Sequence, residues 1–294
     1  MSLCVLLFFN FWFDDYCCGV SMFYFSIVED ELKYLNNSEI RLKVLVDLLD
    51  GPLKVRDINR NSLLSYSSVS SNVHKLCKDG YVEKIQNRFQ LTNLGYIFIT
   101  ILLDFYDVAT TISEFSDFWL DHDISSLSIE DLKKLSSLEG SQLIKCNFTD
   151  IYRTHKEFKR TFKDSKHLKV IFPYMHPEYP KLIRRLILKG VKVELIVSKG
   201  ILDTFVKDIG KDVVKKGLSE GNFSLKYLDE DIKIALAISN KFVSVGLFKK
   251  DGTYDQNRLL LSDRKKAISW ALDLFKSYDD SGVVFNMDWF FSFV

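Results

Sequence analysis

The chain has 294 residues, 47% of them hydrophobic and 27% charged, with 40 Lys and Arg against 39 Asp and Glu for a net charge of +1. That length exceeds one ordinary domain and that composition supplies real cores, so a disordered polypeptide is excluded. Near-neutrality means that any nucleic-acid role has to be local rather than announced by global basicity.

Charge is unevenly distributed. Residues 38–95 carry nine Lys and Arg against six Asp and Glu, a net of +3, residues 96–140 carry two against nine, or −7, and residues 141–294 carry 28 against 19, or +9. The pattern predicts a mildly basic head, an acidic connector and a basic C-terminal domain, divided as 22–95, 96–140 and 141–294.

The first 21 residues stand apart. Leu3 to Phe13 is apolar except for Asn10, has no basic flank, and runs into Asp14 and Asp15 rather than a small-residue cleavage site. It makes a poor signal peptide and is too short to span a bilayer. Met22 is therefore the expected start of the protein, with 1–21 a non-native or disordered extension, and no membrane association is expected.

From Ser38 to Leu49 the set Ile40, Leu42, Val44, Leu45, Leu48 and Leu49 predicts a helix ended by Asp50-Gly51-Pro52. Leu53 to Asn59 is a second, short helix, with the turn placed at Asn59-Arg60-Asn61-Ser62. A third helix follows from Ser65 to Lys78. Val69, Val73 and Leu76 fall at i, i+4 and i+7 on one apolar stripe, Ser65 is an N-cap, and Asp79-Gly80 is the stop. The opposite face, Ser67, Ser70, Ser71, His74 and Lys78, is hydroxyl, imidazole and amine, without a long acidic side chain. Such a surface is able to approach phosphates and sink into a major groove about 12 Å wide; a plain solvated helix face is the alternative. Tyr81 to Ile85 and Phe89 to Leu91 are paired strands across Gln86-Asn87-Arg88, and Thr92 caps the next helix. A short helix, a turn, a second helix and a hairpin make a winged helix-turn-helix.

Val69 to Val82, followed by Phe89-Gln-Leu-Thr-Asn-Leu-Gly95, resembles the winged helix-turn-helix of ArsR-like archaeal regulators, in which a "Leu-Thr-x-x-Gly" helix start follows the wing. Pro173-Tyr-Met-His-Pro-Glu-Tyr-Pro180, Lys189-Gly-Val-Lys-Val-Glu-Leu-Ile-Val197 and Leu247-Phe-Lys-Lys-Asp-Gly-Thr-Tyr-Asp255 resemble the methanogen regulators that join such a head to a methanogenesis regulatory protein middle domain. The order of the motifs, over roughly residues 22–282, is more specific than any one of them. The resemblance implies a DNA-binding regulator, with Tyr66, Ser67, Ser70, Ser71 and His74 in the major groove and Lys75, Lys84 and Arg88 at phosphates or the minor groove. A +3 head is weak for DNA, so a homodimer that doubles the phosphate contacts is the expected working form.

Tyr96 to Trp119 carries an apolar surface broader than one core contact needs, which predicts one long helix. That surface pairs with a second copy, with the first helix near Ile27 to Leu35, or with the chain's own C-terminal domain. Ile151 to Lys166 places Arg153, Lys156, Lys159, Arg160 and Lys163 on an amphipathic helix, either a solvated face or an auxiliary DNA contact.

The C-terminal domain alternates strands (168–172, 191–197, 224–227, 232–238, 242–248, 259–262) with helices (180–188, from 201, and 265–276). It predicts an α/β layer with a mostly parallel sheet, made mixed by a hairpin at Ser239-Asn240. The family resemblance adds a relation to phospholipase D-like folds, whose chemistry needs His-x-Lys-x₄-Asp. Here His167-Leu-Lys169 is followed by Tyr174 in the Asp position, so the catalytic motif fails. No Gly-x-Ser-x-Gly elbow, Walker loop or His-Glu-x-x-His is present, the five histidines and five cysteines have no metal-ligand spacing, and neither enzyme, cofactor nor metal is expected. Scattered free cysteines suit a reducing cytoplasm. Cys77 is a small filler or a redox sensor.

Ligands of α/β sheets collect at the carboxyl ends of strands. Tyr174 and His176 after one strand, with Ser198 and Lys199 after the next, form the expected rim for a small polar or anionic effector; a rigid proline-rich turn is the plainer reading. Tyr254 and Asp255 form a further rim or a simple hairpin turn. Two functions follow: a DNA-binding transcription regulator with an effector-sensing C-terminal domain, or a winged-helix protein-interaction module with a non-catalytic scaffold.

Overall fold

A computed structural model describes Lys33 and residues 38–287. The expectations for residues 1–21 and for a first helix near 27–35 lie outside the described residues. The chain divides into two compact units between Leu103 and Asp104, inside the connector rather than at the expected head boundary.

In the first unit, α1 (Glu39–Asp47) is capped by Ser38, whose side chain accepts from Arg41 N, and closes in a 3₁₀ turn at Leu48–Asp50. Helix α2 (Val55–Ser62) leads to α3 (Tyr66–Lys78). The turn between them is Leu63-Leu64-Ser65, not Asn59 to Ser62. The helix runs on because Ser62 Oγ donates to the Ile58 carbonyl at 2.6 Å, and Asn59 Nδ2 closes the turn on the Leu64 carbonyl, with Leu63 at φ 56°. The wing is β1 (Val82–Ile85) against β2 (Arg88–Leu91), antiparallel, with Ile85 opposite Arg88. One core joins these parts: Val44, Leu45, Ile58, Val69, Val73 and Leu76 from the helices, and Tyr81, Val82 and Phe89 from the wing.

Helix α4 (Asn93–Glu114) starts on Thr92, whose Oγ1 accepts from Gly95 N and donates to the Gly80 carbonyl. Any Cβ on Gly95 would overlap the Tyr81 carbonyl, so this position has to be glycine for the helix to lie against the base of the wing. The expected single helix to Trp119 is broken at Phe115, where the side chain turns into the core and α5 (Ser116–Asp121) begins. Among the described residues α4 is the one helix long and apolar enough, by length and composition, to cross a membrane; Ile99 and Leu102 on it are spent in the head core.

The second unit is a sheet between two helical layers. After the short strand β3 (His122–Asp123), helix α6 (Ile129–Lys133) and a 3₁₀ turn come β4 (Gln142–Lys145), α7 (Arg153–Phe162), β5 (His167–Phe172), α8 (Tyr179–Leu188), β6 (Lys192–Ser198), α9 (Lys199–Ile209), α10 (Lys211–Glu220), β7 (Phe223–Leu228), β8 (Ile234–Ser239), β9 (Val243–Lys249), β10 (Arg258–Ser262), α11 (Lys265–Ser281) and β11 (Val283–Val284). The order is β11-β7-β6-β5-β8-β9-β10-β4, with β3 added on β9. Only β5 with β6 and β6 with β7 are parallel; every other described pair is antiparallel. The sheet is mixed, as expected, with its parallel part confined to these two pairs. Two βα crossovers supply the parallel part, and hairpin connections, including the foreseen one at Ser239-Asn240, supply the rest.

Strand alternation distributes the core. Leu168, Val170 and Phe172 of β5 with Val193, Leu195 and Val197 of β6 face the layer of α7 to α10, while Ile171 and Ile196 face α5 and α11. Both faces are covered, so the strands read as nearly continuous apolar runs.

A buried ionic knot fastens α5 to the far edge. His122, nearly inaccessible, lies between the Phe118 carbonyl (Nδ1, 2.5 Å) and Asp255 Oδ2 (Nε2, 3.1 Å), and Arg258 donates to Asp255 at 2.6 Å and to Asp121 at 2.7 Å. Burial pushes the Asp255 carboxyl up, but hydrogen bonds from His122, Arg258 and the Asn257 N–H outweigh it and hold the group well below the usual carboxylate range. A depressed folded value means that this stabilisation is complete above the unfolded carboxyl value near 4 and is lost as pH falls below it. Asp255→Ala is expected to cost about 3–5 kcal/mol at neutral pH, since it leaves the Arg258 guanidinium and the buried His122 Nε2 without their partner, and to flatten the loss of stability on acidification; urea titrations at a series of pH values measure both.

Candidate nucleic-acid interface and ligand pocket

The head presents α3 by the side its core leaves free. Val69, Val73 and Leu76 are fully buried, while Ser67, Ser71, His74, Lys75 and Lys78 are exposed and Ser70 is half-buried. Ser65 Oγ accepts from Ser68 N at 3.2 Å and contacts the hydroxyls of Ser67 (3.2 Å) and Ser68 (2.7 Å), so the N-terminal end of the helix is a hydroxyl cluster. His74 Nδ1 lies 2.7 Å from the Ser70 carbonyl and donates to it, which leaves Nε2 free for a partner outside the helix. Tyr66 stands at the start of the helix, 56% exposed.

The wing contributes Lys84, with Nζ 5.8 Å from the Phe89 ring centroid, and Arg88, which donates to the Pro52 carbonyl at 3.1 Å. That bond ties Arg88 to the base of the wing. A recess there is lined by Lys54, Arg56, Tyr66, Asn87 and Arg88 beside Asp57. Lys54 and Arg56 were missed by reading the sequence. They precede and open α2, and nothing but the tertiary return of the wing brings them beside Arg88.

The auxiliary basic face on α7 is internally compensated: Lys156 pairs with Asp150 (2.8 Å), Arg160 with Glu157 (2.6 Å) and Lys159 with Glu178 (2.9 Å). Arg153 stands outside this pairing, with Nη1 3.5 Å from the Lys145 carbonyl. Cys77 is half-buried, and burial pushes its thiol up, away from reactive thiolate.

In the second unit a cavity of about 250 Å³ opens beyond the end of β5. Tyr174 and His176 line it, but Ser198 and Lys199 do not; Lys199 is instead paired with Asp229 at 2.7 Å. The expected four-residue rim is thus corrected. The segment after β5 meets α7 and residues 254–259 rather than the end of β6. The Tyr174 ring stacks on Tyr254, centroids 3.8 Å apart, and His176 stacks on His155 at 4.0 Å and on Tyr179 at 4.7 Å. Tyr254 fits because β9 has Gly246 beneath its ring, where a Cβ would overlap the hydroxyl. Asp255, expected beside it, points into the buried knot. Tyr254, named from the sequence as a further rim, does line the cavity, whereas His155 and Tyr179 were not foreseen; a period-3.6 reading of 151–166 marked the helix but not which residue faced β5.

Burial disfavours the charged forms of the imidazole and phenol rings, while Arg258, paired with Asp255 and Asp121, is the charged residue of the lining. Burial lowers the His155 imidazole to about 4, with His176 and Lys159 adding to the effect, lowers His176 as well, and raises Tyr179 to about 12. Both ring nitrogens of His155 are buried without a hydrogen-bond partner. No group of three or more His, Cys, Asp or Glu placed to hold a metal occurs among the described residues. His167 and Lys169, the two residues of the failed hydrolase motif, are both bound to Glu194.

Comparison with known proteins yields two domain matches in the same order as these units. The model of the methanogenesis regulatory protein FilR1 N-terminal domain matches residues 29–109, and that of its middle domain matches residues 151–281. The methanogenesis regulatory protein FilR1 of Methanothrix harundinacea (strain 6Ac) is 27% identical over 255 residues, covering 84% of this chain and 56% of that protein, so the chain spans little more than half the length of its curated relative. Among solved structures, TrmBL2, described as an archaeal chromatin protein with a novel mode of DNA binding, aligns over 86% of this chain and 97% of its own at 14% identity and a TM-score of 0.40. Phosphatidylserine synthase of Haemophilus influenzae Rd KW20 aligns over 49% and 39% at 12% identity and a TM-score of 0.37. Likeness at those scores carries no argument about fold or activity. The two domain matches, in order and covering both units, place the chain in the family of winged helix-turn-helix regulators that carry FilR1-type N-terminal and middle domains.

Proposed function

We propose that this protein is a DNA-binding transcription regulator that works as a homodimer in the cytoplasm, with a C-terminal domain that senses a small molecule and catalyses nothing. The observation that carries the reading is the composition of the free side of α3. Its exposed groups are short hydroxyls, one imidazole and amines, set beside a wing bearing Lys84 and Arg88. Small groups reach base edges, and cations at the wing and at the start of α2 meet phosphates on either side. The relation of the sheet to phospholipase D-like folds rests on the sequence resemblance; the engagement of His167 and Lys169 by Glu194 supports a non-catalytic role.

The exposed side of α4 supports the dimer. Leu94, Ile97 and Ile101 fall at i, i+3 and i+7 and are 53%, 57% and 65% exposed, with Phe105 and Ile112 exposed further along. Water-facing aliphatic side chains in that spacing are a seam for a second copy of the same helix. Pairing two mildly basic heads doubles the phosphate contacts and gives two half-sites. An effector then acts by favouring one head spacing over another.

Mobility shift on the DNA upstream of the protein's own gene tests the DNA reading. Sequence-preferring binding at moderate salt is expected. Lys84→Ala with Lys75→Ala is expected to weaken it uniformly across sequences and lower the salt slope by about one per lost contact, whereas His74→Ala relaxes sequence preference. No preferential binding would turn the assignment toward a winged module for protein contacts. Sedimentation tests the seam: Ile97→Glu with Ile101→Glu is expected to convert dimer to monomer and lower operator affinity by on the order of tenfold or more, through loss of the second set of phosphate contacts.

A further inference from the structure

Two histidines from separate segments close the recess beyond β5 on itself. His155 stands near the start of α7 and His176 in the segment after β5, and their rings stack with centroids 4.0 Å apart at 25°. Tyr179 of α8 extends the stack, 4.7 Å from His176 and 5.5 Å from His155. Rings packed in this way hold their elements together by contact area. Among residues 151–157 only Thr154 is fully buried, its Oγ1 donating to the Gln256 carbonyl at 2.6 Å, so the stack is a main attachment of this end of α7.

The geometry requires both rings to be neutral. His176 Nδ1 accepts from the Glu178 backbone N–H at 3.2 Å, and a proton on that nitrogen would face another donor and break the bond. Both ring nitrogens of His155 are buried without a hydrogen-bond partner, so an imidazolium there would bring a charge and two N–H groups to a place with neither water nor acceptor. Two cations 4.0 Å apart would also repel each other.

Neighbouring groups do not compensate a proton. Glu178 is shared by Lys159 at 2.9 Å and Lys181 at 2.8 Å, and hydrogen bonds from Lys181 and Lys159 hold its carboxyl to about 2, so it stays ionised and engaged wherever histidine titrates. Lys159 acts on both imidazoles as a like charge. On the same helix Lys156 is paired with Asp150, and Arg153 reaches the Lys145 carbonyl at 3.5 Å. Across the recess Arg258 is taken up by Asp255 and Asp121. Burial keeps Tyr174, Tyr179 and Tyr254 as phenols. The Tyr179 face attracts a cation, but one ring face does not replace the water that an imidazolium gives up.

We infer that the stack of His155 on His176 is a proton-sensitive latch: neutral rings hold the start of α7 against residues 173–178, and protonated rings release it and open the recess to water. Burial depresses the His155 imidazole from its ordinary value of 6.5 to about 4, with His176 and Lys159 adding to the effect, and depresses His176 as well. Depressed folded values mean that the closed recess binds fewer protons than the open one. Closure is therefore complete above about 6.5 and is lost as pH falls toward the folded values. With two imidazoles protonated on opening, the open fraction rises by up to about 100-fold per pH unit inside that window, against about tenfold for one. Asp255 is held down well below this range, so the buried knot is intact while the latch opens. The latch belongs to the second unit alone and needs no DNA to operate.

Hydrogen exchange of the full chain between pH 7 and pH 5, converted to opening constants after allowance for the intrinsic pH dependence of exchange, tests it together with NMR titration of the histidine rings. Opening of residues 151–157 and 173–178 is expected to grow on the order of 30-fold or more over that range, with α1 unchanged. His155→Phe keeps a ring in the stack and is expected to lower the dependence to about tenfold or less per pH unit; adding His176→Phe abolishes it. Lys159→Met, at a largely exposed position, is expected to let the folded rings protonate at higher pH and so to shrink the total change. Opening that is equal at pH 7 and pH 5, rings that both titrate near 6.5 while the two segments stay protected, or a dependence that survives in the double variant overturns the latch. The ring titrations and Lys159→Met decide the matter even if the double variant does not fold.

Discussion

Burial of three side chains on one helix decides how this protein faces its partner. Val69, Val73 and Leu76 are held against α1, α2 and the wing with no exposed surface, and fully burying each such side chain contributes about 1.5–3 kcal/mol. Rotating α3 by even a quarter turn would forfeit most of that and put serines in the core. The helix therefore has one admissible orientation, and the polar groups on its far side are presented as a consequence. The same core fixes the wing: Tyr81 and Phe89 enter it from the two ends of the hairpin, and glycine at position 95 lets α4 close beneath it.

The second unit solves a different problem, that of covering a sheet on both faces while leaving a recess at one strand end. The parallel pairs β5 to β7 bring strand ends to a common rim, but the antiparallel return through β8, β9 and β10 determines which residues gather there. Tyr174 leans toward Tyr254 because β9 offers Gly246 as a bare surface. The neighbouring Asp255 is drawn instead into the buried knot with His122 and Arg258, which anchors the segment carrying Tyr254. Rigid pocket walls and the fastening of α5 thus share one loop.

How far this was legible from the residues divides along locality. Ser65, the Val69-Val73-Leu76 stripe and Asp79-Gly80 define α3 by short-range rules, and the helix lies where they put it. The strands at 168–172, 191–197, 224–227 and 259–262 were legible as apolar runs for the same reason. The turn before α3 was misplaced because its closure depends on Asn59 reaching Leu64, a side-chain contact that composition does not announce. The break at Phe115 was hidden because an apolar residue continues a helical pattern equally well whether the helix goes on or bends into a core. Strand direction was legible where spacing is short: the alternation of strands and helices early in the domain gives the parallel pairs, and the close-spaced strands either side of Ser239-Asn240 give the antiparallel hairpin. In the pocket, Tyr174 and His176 were found from the position of a strand end, but their partners His155 and Tyr254 come from segments 19 or more residues away in either direction, and no spacing rule links them. Ser198 and Lys199 obeyed the same strand-end rule and fell outside the cavity.

In the proposed dimer the joining helix carries the pairing. Its exposed aliphatic residues lie immediately after the wing, so under that proposal a shift in pairing would change the distance between the two α3 helices. Selection of binding sites from a random double-stranded DNA pool by the full-length protein tests the central claim most directly. The account predicts enrichment of a two-fold symmetric motif whose half-sites are centred about 10–11 base pairs apart or a multiple of that, with the preference blurred in the His74→Ala protein. A pool that emerges unenriched after repeated rounds at moderate salt would contradict it.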